Sequence, residues 1–525
     1  MGASDQAVRS YATALSLAPG NETLAARALD QGLAAGDRPL ALAAARALEK
    51  SGKLKVDGRL LLLSEALRTR DWKSARLQAD RIEEDEVFAF LAPLLRAWIA
   101  QGSGKGDPLA LLADLKDNPL AAAYAGEQKA LLLLAEGRSE EGVAALVEEL
   151  DDAGARAPRL RIAAAGQLAR KGDRKRALAL LEGDSEALVA ARAALSAGGR
   201  LRGEIGSPSA GIAELFVRIA LDLESQDVPT LALDFARLAT FLDSGNSETW
   251  IVTSQLLAGA GQHEGALAAL DRVSAGDPFA GSAENSRIDL LVAAGRTEEA
   301  LTRARAETQA RPDSAPAWAR LGDLLSQLDR PGDAADAYGR SLAAIRSAED
   351  GIDHAIDDTS RTAASVREWP VLLLQGSALI EAGRWVEGRS TLQAAYQRAP
   401  EQAIVLNYLG YSQLERRENV AEAERLIREA SRLQPDNAAI TDSLGWAHYL
   451  RGDLPKAIEL LERASRGQPA DAAINEHLGD AYFKAGRRFE ARYAWQAALV
   501  HAEGKVANRL RTKVDGGLTA ETAAP

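Results

Sequence analysis

Asp442, Ser443 and His448 lie within seven positions of one another and are the three residue types of a hydrolase triad. A triad needs its members in hydrogen-bond contact. The surrounding pattern predicts a helix, and on a helix of 3.6 residues per turn Ser443 and His448 point about 140° apart. No Gly-x-Ser-x-Gly turn surrounds the serine. The spacing therefore predicts a structural role for these residues.

Metal chemistry has few candidate ligands in this sequence. The chain has no cysteine, which excludes disulfides, thiolate catalysis and cysteine-ligated zinc. The segment "INEHLGDAYFKAG" lacks the His-Glu-x-x-His spacing of a zinc protease helix. No histidine is three or four residues from another, as their positions show: His263, His354, His448, His477 and His501. We expect no metal, no cofactor and no catalytic site, and therefore no enzyme activity.

The composition of the 525 residues favours helices and argues against two kinds of partner. The chain is 46% hydrophobic but only 5% aromatic, so its apolar content is mainly Ala and Leu, which are strong helix formers. Val, Ile and Thr form no alternating runs, so no strands are expected. A net charge of −12 argues against general nucleic-acid binding. The most apolar segment, 87–100, is shorter than the ~18 residues of a membrane span.

A small residue recurs along the chain at intervals of 34. We call these residues the anchors, and they are Ala7, Ala41 and Ala75; Ala232, Ala266, Ala300 and Ala334; and Ala423, Ala457 and Ala491. Gly142, Ala177 and Gly388 are further anchors, and Ala110 fits the remaining gap. A glycine lies five residues before many of them: Gly36, Gly137, Gly172, Gly261, Gly295, Gly383, Gly452 and Gly486. Glycine there suits the turn between two helices, because it takes positive φ without cost.

The last three units each begin with Leu-Gly, at Leu409, Leu444 and Leu478. We predict that the anchor lies where the second helix crosses the first, and that the glycine lets neighbouring helices approach. One such unit cannot bury its apolar face alone, so the units must stack.

This pattern resembles the tetratricopeptide repeat family. The segment 318–342 carries the family's positions as Trp318, Leu321, Gly322, Ala334 and Tyr338, and a weaker unit carries Trp250, Gly261, Ala266 and Pro278. The resemblance implies an all-α superhelical solenoid of about 12–14 helix–turn–helix units. It covers nearly the whole chain, is specific at the C-terminal end and is degenerate between about residues 85 and 230.

Two longer anchor intervals, 55 and 54 residues, predict how the array divides. The predicted parts are a degenerate N-terminal block 1–200 with a truncated first repeat, a central block 212–346, an insertion 347–366, a C-terminal block 367–502, and a tail 503–525 that frays or is disordered. The segment 198–211 is expected to be a loop, and 347–365 a lengthened helix and loop. Because the first repeat has only its second helix, we expect that upstream sequence, including an export signal, has been removed.

In tetratricopeptide solenoids the first helix of each repeat lines the concave face. Mapped onto the last three units, the resemblance implies a protein-binding groove made of Asn407, Tyr411, Asp442, Trp446, Tyr449, Glu476, Asp480 and Phe483. We call these the groove residues. Rings supply contact area, and amides pair with an extended backbone. The alternative is that Trp446 and Tyr449 pack between repeats. Carboxylate-clamp binding is disfavoured, because acids replace the basic residues that it needs.

The motifs "LNYLGYS", "DSLGWA" and "INEHLGDAY" resemble the endings of large proteobacterial, particularly alphaproteobacterial, tetratricopeptide proteins, many of them outer-membrane lipoproteins. Adaptors of periplasmic carboxyl-terminal processing proteases have a similar ending. The resemblance implies a non-catalytic adaptor of the cell envelope that presents substrates to such a protease. The alternative is an assembly scaffold for envelope or membrane-complex biogenesis without a protease. The implied location is the periplasm, with a lipid anchor on the missing N-terminal segment as one option.

Overall fold

The computed structural model describes residues 2–85, 87–113, 115, 118–201, 203–350 and 358–524. These residues form 29 α-helices, one short 3₁₀ turn and no β-strand, which confirms the all-α prediction. The chain divides into two compact units, the N-terminal unit Met1–Ala300 and the C-terminal unit Leu301–Pro525. The blocks inferred from the breaks in the repeat period stay a prediction.

The helices of the N-terminal unit are α1 (Gly2–Leu17), α2 (Glu22–Ala35), α3 (Arg38–Lys50), α4 (Val56–Arg68), α5 (Trp72–Glu83), α6 (Leu91–Ser103), α7 (Ala110–Ala113), α8 (Pro119–Glu136), α9 (Ser139–Glu149), α10 (Ala157–Arg170), α11 (Arg174–Leu180), α12 (Glu186–Ser196), α13 (Pro208–Ser225), α14 (Pro229–Leu242), α15 (Ser247–Gly259), α16 (His263–Leu270) and α17 (Ala280–Ala293). The 3₁₀ turn is Gly154–Arg156, and α18 (Thr297–Ala310) contains the division between the units.

The helices of the C-terminal unit are α19 (Ala315–Gln327), α20 (Pro331–Asp350), α21 (Asp358–Glu381), α22 (Trp385–Arg398), α23 (Ala403–Glu415), α24 (Val420–Leu433), α25 (Ala438–Leu450), α26 (Leu454–Gly467), α27 (Ala472–Lys484), α28 (Arg488–His501) and α29 (Gly504–Gly516). Residues 198–207 of the first predicted loop fall between α12 and α13, but its last four residues, 208–211, form the first turn of α13. The second insertion begins as an extension of α20, and its residues 351–357 lie outside the described part of the chain.

Consecutive helices pack as pairs across short turns, for example α2 with α3, α25 with α26 and α27 with α28. All eight glycines that precede an anchor have positive φ, between 71° and 92°, which confirms the prediction for the turns. Most anchors are fully buried, from Ala41 and Ala75 to Ala457 and Ala491. The assignment of Ala110 as an anchor is wrong. It is exposed in the four-residue helix α7, because this degenerate stretch forms no full second helix.

The glycine of each Leu-Gly pair lies against the second helix of its unit, as predicted. A Cβ at Gly479 would lie 2.3 Å from Cδ1 of Trp495, and a Cβ at Gly445 would lie 2.8 Å from Cγ of Leu461. These distances are too short for a methyl group, so glycine is required for the helices to approach this closely.

Gly479→Ala is expected to destabilise α27 and α28 by about 1–3 kcal/mol, because the new methyl group must displace the buried Trp495 ring. Gly332→Ala is the matched control, since nothing lies within 4 Å of a Cβ on this helical glycine of α20. It should be neutral or stabilising by up to about 1 kcal/mol. Urea unfolding combined with hydrogen exchange of each helix pair checks both. Equal effects of the two changes would contradict the packing explanation.

In the N-terminal unit, α13 and α14 cover the first helices of earlier repeats. The helix α14 packs on α2 and α4, and α13 packs on α4, α6 and α8. The ring of Phe235 contacts those of Phe88 and Phe216 at centroid distances of 5.7 and 5.3 Å. In a simple repeat array each unit contacts its sequence neighbours. Here one helix pair instead fills the surface that several earlier repeats share.

A network of buried charges fixes this arrangement. The carboxylate of Glu214 on α13 is 0% exposed. It accepts hydrogen bonds from Nη2 of Arg156 at 2.7 Å, from Nε of Arg159 at 3.0 Å and from Nδ2 of Asn246 at 2.8 Å. Arg156 also donates to Glu127 on α8 at 2.8 Å. The network therefore joins α13 to α8, α10 and the start of α15.

Asp234 makes the packing of α14 on α2 and α4 sensitive to pH. Burial, together with Asp57 and Asp30, raises the pKa of Asp234 from 3.8 to about 7. Folding therefore favours the protonated carboxyl. Its contribution to stability is complete below about pH 3.8 and is lost as pH rises through about 7.

We expect Asp234→Asn to stabilise the N-terminal unit, with an advantage that grows as pH rises from about 4 to about 7. Hydrogen exchange of α2, α4 and α14 over this pH range measures the effect. Asp227→Asn, at an exposed position with φ of 60°, is the control and should leave the exchange of these three helices unchanged. A pH-independent difference for Asp234→Asn would contradict the explanation.

Candidate protein-binding site

The groove residues come from α23, α25 and α27, the first helices of the last three complete helix pairs. The helix α25 packs against both α23 and α27. The starts of two of these helices are fixed by side-chain caps. Asn437 accepts from the amide of Ile440, and Asp471 accepts from the amide of Ile474. The equivalent caps place Asp442 and Trp446 on α25 in register with Glu476 and Asp480 on α27.

The structure brings the groove residues together, but most of them are buried. Asp442, Trp446, Tyr449, Glu476 and Asp480 are buried, whereas Asn407, Tyr411 and Phe483 are partly buried. Five of the eight positions are therefore closed to solvent, and protein binding by the groove residues stays a prediction. The C-terminal residues of the chain cover Glu476 and Asp480, whereas Asp442 and Trp446 also contact His477 of the next repeat.

The aromatic side chains form a stack that includes a histidine. The ring of Trp446 lies parallel to those of His477 and Tyr449, at centroid distances of 4.1 and 4.3 Å. Nζ of Lys484 lies 4.5 Å from the centre of the Tyr449 ring. Trp446 is 1% exposed and Tyr449 is 7% exposed, which matches the alternative in which these rings pack between repeats.

Asp442, Ser443 and His448 each have a different partner. Nδ1 of His477 lies 2.9 Å from Oδ2 of Asp442, Ser443 donates to the carbonyl of Ala439, and Nδ1 of His448 lies 3.1 Å from Asp453. Burial by itself would lower the pKa of His477, but the charge and hydrogen bond of Asp442 outweigh it and raise that pKa. These contacts give Asp442 and His477 a structural role.

The carboxylates of Glu476 and Asp480 form ion pairs with basic side chains of the helix α29. Nε of Arg509 donates to Glu476 at 2.8 Å. Nζ of Lys513 donates to Glu476 at 2.6 Å and to Asp480 at 2.8 Å. Asp480 also accepts from Nε1 of Trp495 at 2.9 Å.

The prediction that residues 503–525 fray or are disordered is wrong, because Gly504–Gly516 forms α29. The helix also buries Ala507 and Leu510. A signal in the sequence was missed: Arg509 and Lys513 are four residues apart, as are Glu476 and Asp480, so each pair lies on one face of its helix.

Residues 517–524, which we call the C-terminal segment, lie on the groove residues. Leu518 packs against the same buried cluster as Phe483, and a turn follows in which the carbonyl of Thr519 accepts from the amides of Thr522 and Ala523. The amide of Ala524 then donates to Oδ2 of Asp480 at 3.0 Å. Ala524 belongs to the same buried cluster as Trp446, Tyr449, Leu478 and Ala481. The groove thus accepts a backbone donor and a small apolar side chain.

Two further properties limit the chemistry of the described residues. Among them, no group of three or more His, Asp or Glu side chains is arranged to hold a metal ion. Within the same part of the chain, no helix is both long and apolar enough to cross a membrane. The oxygen Oδ1 of Asn407 is buried without a hydrogen-bond partner in the described structure. The groove residues therefore offer hydrogen-bond acceptors and apolar area, which are features of a binding surface.

A tetratricopeptide repeat family model matches residues 285–350, 373–438, 414–472 and 443–506. The chain is also similar to TPR repeat-containing protein PA4667 of Pseudomonas aeruginosa, with 29% identity over 177 residues, which is 33% of this chain and 26% of that protein. The match thus spans about a quarter of that relative's length.

Two solved structures are similar to part or most of the chain. PilF of Pseudomonas aeruginosa is 20% identical, with 45% of this chain and 97% of PilF covered and a TM-score of 0.33. A chain of the APC/C hetero-tetramer Cut9–Hcn1 is 14% identical, with 96% of this chain and 98% of that chain covered and a TM-score of 0.38.

The residues that the family model matches form helix pairs with glycine turns at Gly295, Gly383, Gly452 and Gly486 and with buried anchors. Gly410, Gly445 and Gly479 of the matched region all lie in close contact with the second helix of their unit. Proteins with this fold typically bind other proteins and are not catalysts. Residues 285–350 and 373–506 of the chain therefore consist of tetratricopeptide repeats.

Proposed function

We propose that this protein is a non-catalytic scaffold that binds extended protein segments on its groove residues. The main observation in support is the contact between Ala524 and Asp480. There a carboxylate accepts a backbone N–H at 3.0 Å beside a cluster that buries a small side chain. Another protein segment with a small residue at that place makes the same two interactions. The C-terminal segment is then an internal occupant, which a partner displaces.

The C-terminal segment suits a displaceable occupant better than α29 does. The helix α29 is held by Lys513, a fully buried cation between two carboxylates. The C-terminal segment makes one hydrogen bond to Asp480, and Thr519, Ala520, Glu521 and Ala523 are exposed. Local opening draws on regions with few buried contacts. A partner therefore gains access by displacing residues 517–524 while α29 stays in place.

We further propose a more specific role: the protein is an adaptor of the bacterial cell envelope that presents substrates to a periplasmic carboxyl-terminal processing protease. The similarity of the motifs around Leu409, Leu444 and Leu478 to the endings of such adaptors supports it. The similarity to PA4667 of Pseudomonas aeruginosa, a proteobacterial protein, also supports it. Periplasmic location, with the lipid anchor found in that class of adaptor, belongs to the same proposal.

Affinity capture from an envelope extract of the native host tests this function. The baits are the full chain and a chain that ends at Gly516, with the captured proteins identified by mass spectrometry. We expect a processing protease together with its substrates, and more substrate on the shortened bait, because its groove is free. A full chain with Glu521→Gln, at an exposed position, is the control and should behave as the full chain does. Recovery of a membrane assembly without a protease would instead favour the assembly scaffold.

A further inference from the structure

A cleft of about 650 Å³ lies in the N-terminal unit, between the α2–α3 turn and the segment that joins α14 to α15. Arg38, Arg68 and Arg272 line it from three different elements, and Trp250 forms part of its wall. Asp243 is the acidic residue among the lining residues. The cleft therefore has a local excess of positive charge, although the whole chain has a net charge of −12.

Arg272 presents an available guanidinium group. It is exposed and lies over the ring of Trp250, with its central carbon 5.6 Å from the ring centre. The indole Nε1 of Trp250 donates to the carbonyl of Ser244 at 3.0 Å, which fixes the ring in the wall of the cleft. No ion pair joins Arg272 to a carboxylate in the part of the chain that the structure describes. Its donors are thus free to bind a ligand.

Arg38 is weakly paired because its neighbour takes the nearest carboxylate. Glu65 accepts two hydrogen bonds from Arg68, at 3.1 and 2.9 Å. Arg38 approaches the same carboxylate at 3.8 Å, which is too long for a hydrogen bond. Two guanidinium groups therefore share one carboxylate, and that of Arg38 keeps most of its donors.

A fourth arginine, which is buried, contacts the lining of the cleft at Gly36. Arg237 on α14 is 8% exposed, and its Nη2 donates to the carbonyl of Ala34 in the last turn of α2 at 3.2 Å. A Cβ on Gly36, which lines the cleft, would lie 2.8 Å from Nη1 of Arg237. The guanidinium of Arg237 therefore lies against the backbone of this glycine.

Arg237 carries a charge that its surroundings do not balance. Nε has no hydrogen-bond partner, and among the described residues no carboxylate forms an ion pair with this side chain. Burial lowers the pKa of Arg237 to about 10, so it remains protonated at neutral pH. The C-terminus of α2 supplies only about half a negative charge. A buried cation without a counter-charge is unfavourable, and a negative ligand in the cleft relieves this.

We propose that this cleft binds an acidic peptide segment, with carboxylates on Arg38 and Arg272 above the buried Arg237 and an apolar side chain on Trp250. Guanidinium groups pair with carboxylates through two parallel hydrogen bonds. The donors come from separate elements, which suits several carboxylates along a chain better than one phosphate group. The site uses none of the groove residues, so its test is independent of the function proposed above.

The test measures fluorescence anisotropy of a short labelled peptide of glutamates around one phenylalanine, titrated with the full chain. We expect saturable binding that weakens as ionic strength rises, because the contacts are charge pairs near the surface. The double change Arg38→Gln with Arg272→Gln should weaken binding by about tenfold or more. Arg76→Gln, at an exposed position on α5 outside the cleft, should leave binding unchanged.

A matched peptide with glutamine in place of glutamate should not bind. The proposal is overturned if this neutral peptide binds as tightly as the acidic one. It is also overturned if the double variant, with unchanged circular dichroism, keeps the affinity of the original chain.

Discussion

Lys513→Met is expected to detach α29 and to lower the stability of the last two helix pairs by about 3–5 kcal/mol. Methionine keeps a long unbranched side chain but removes the charge. Nζ of Lys513 lies 2.6 Å from Oε1 of Glu476 and 2.8 Å from Oδ1 of Asp480, and the lysine side chain is fully buried. Without it, Glu476 keeps Arg509 as a partner, whereas Asp480 loses its counter-charge.

The loss should depend on pH in a defined direction. Burial raises the pKa of Asp480 even with Lys513 present, and removal of the lysine raises it further. The folded variant therefore favours a protonated Asp480, so its deficit shrinks as pH falls and grows as pH rises. Hydrogen exchange of α27 and α29 at several pH values measures this.

Lys505→Met is the matched control, because Lys505 is exposed in the first turn of the same helix. We expect it to change the protection of α29 little. Wild-type protection of α29 in Lys513→Met at high pH would show that these ion pairs do not hold the helix.

Glu214→Gln is expected to have a similarly large effect on the N-terminal unit, with a loss of about 3–5 kcal/mol. Burial favours a raised pKa for Glu214, but Arg159 and Arg156 outweigh it and lower the pKa below 4.5. The carboxylate is thus ionised and compensates two buried guanidinium groups. Glutamine keeps the shape but removes that charge, so α13 should lose its attachment to α8 and α10.

Urea unfolding with hydrogen exchange of α8, α10 and α13 checks this result. A lowered pKa gives stability above the unfolded value of 4.5 that is lost as pH falls, so the two proteins should become more alike in acid. Glu224→Gln on the same helix is the control. Burial raises the pKa of Glu224, so glutamine there should be neutral or slightly stabilising at pH 7. Equal destabilisation by both changes would contradict the role of the buried network.

The repeats could be predicted from the sequence because their requirements are local. A glycine with positive φ before the anchor, and a small residue where two helices cross, can be recognised without knowing the rest of the fold. Gly452 and Ala457 illustrate both requirements, since φ of Gly452 is 83° and Ala457 is fully buried. The same reasoning failed at Ala110, which was assigned only from its spacing to the neighbouring anchors. The helix there is too short to bury the residue.

The occupied groove could not be predicted in the same way, because it depends on contacts between distant parts of the chain. The positions of Trp446 and Asp480 on their helices were predicted correctly. The exposure of Asp480 to solvent depends on Lys513 and Ala524, which follow the last repeat. The covering of early repeats by α13 and α14 is a similar case, since Glu214 on α13 pairs with arginines from another repeat.

The central claim is that the groove residues accept an extended segment, whose place the C-terminal segment takes. The most direct measurement is the binding of a labelled peptide of residues 517–525, amidated at its end, to a chain that ends at Gly516. We predict saturable binding to this shortened chain and much weaker binding to the full chain. A peptide with Ala524→Asp should lose affinity, because it places a carboxylate beside Asp480, whereas Glu521→Gln at an exposed position should keep it. No binding to the shortened chain, or equal binding of the Ala524→Asp peptide, would contradict the account.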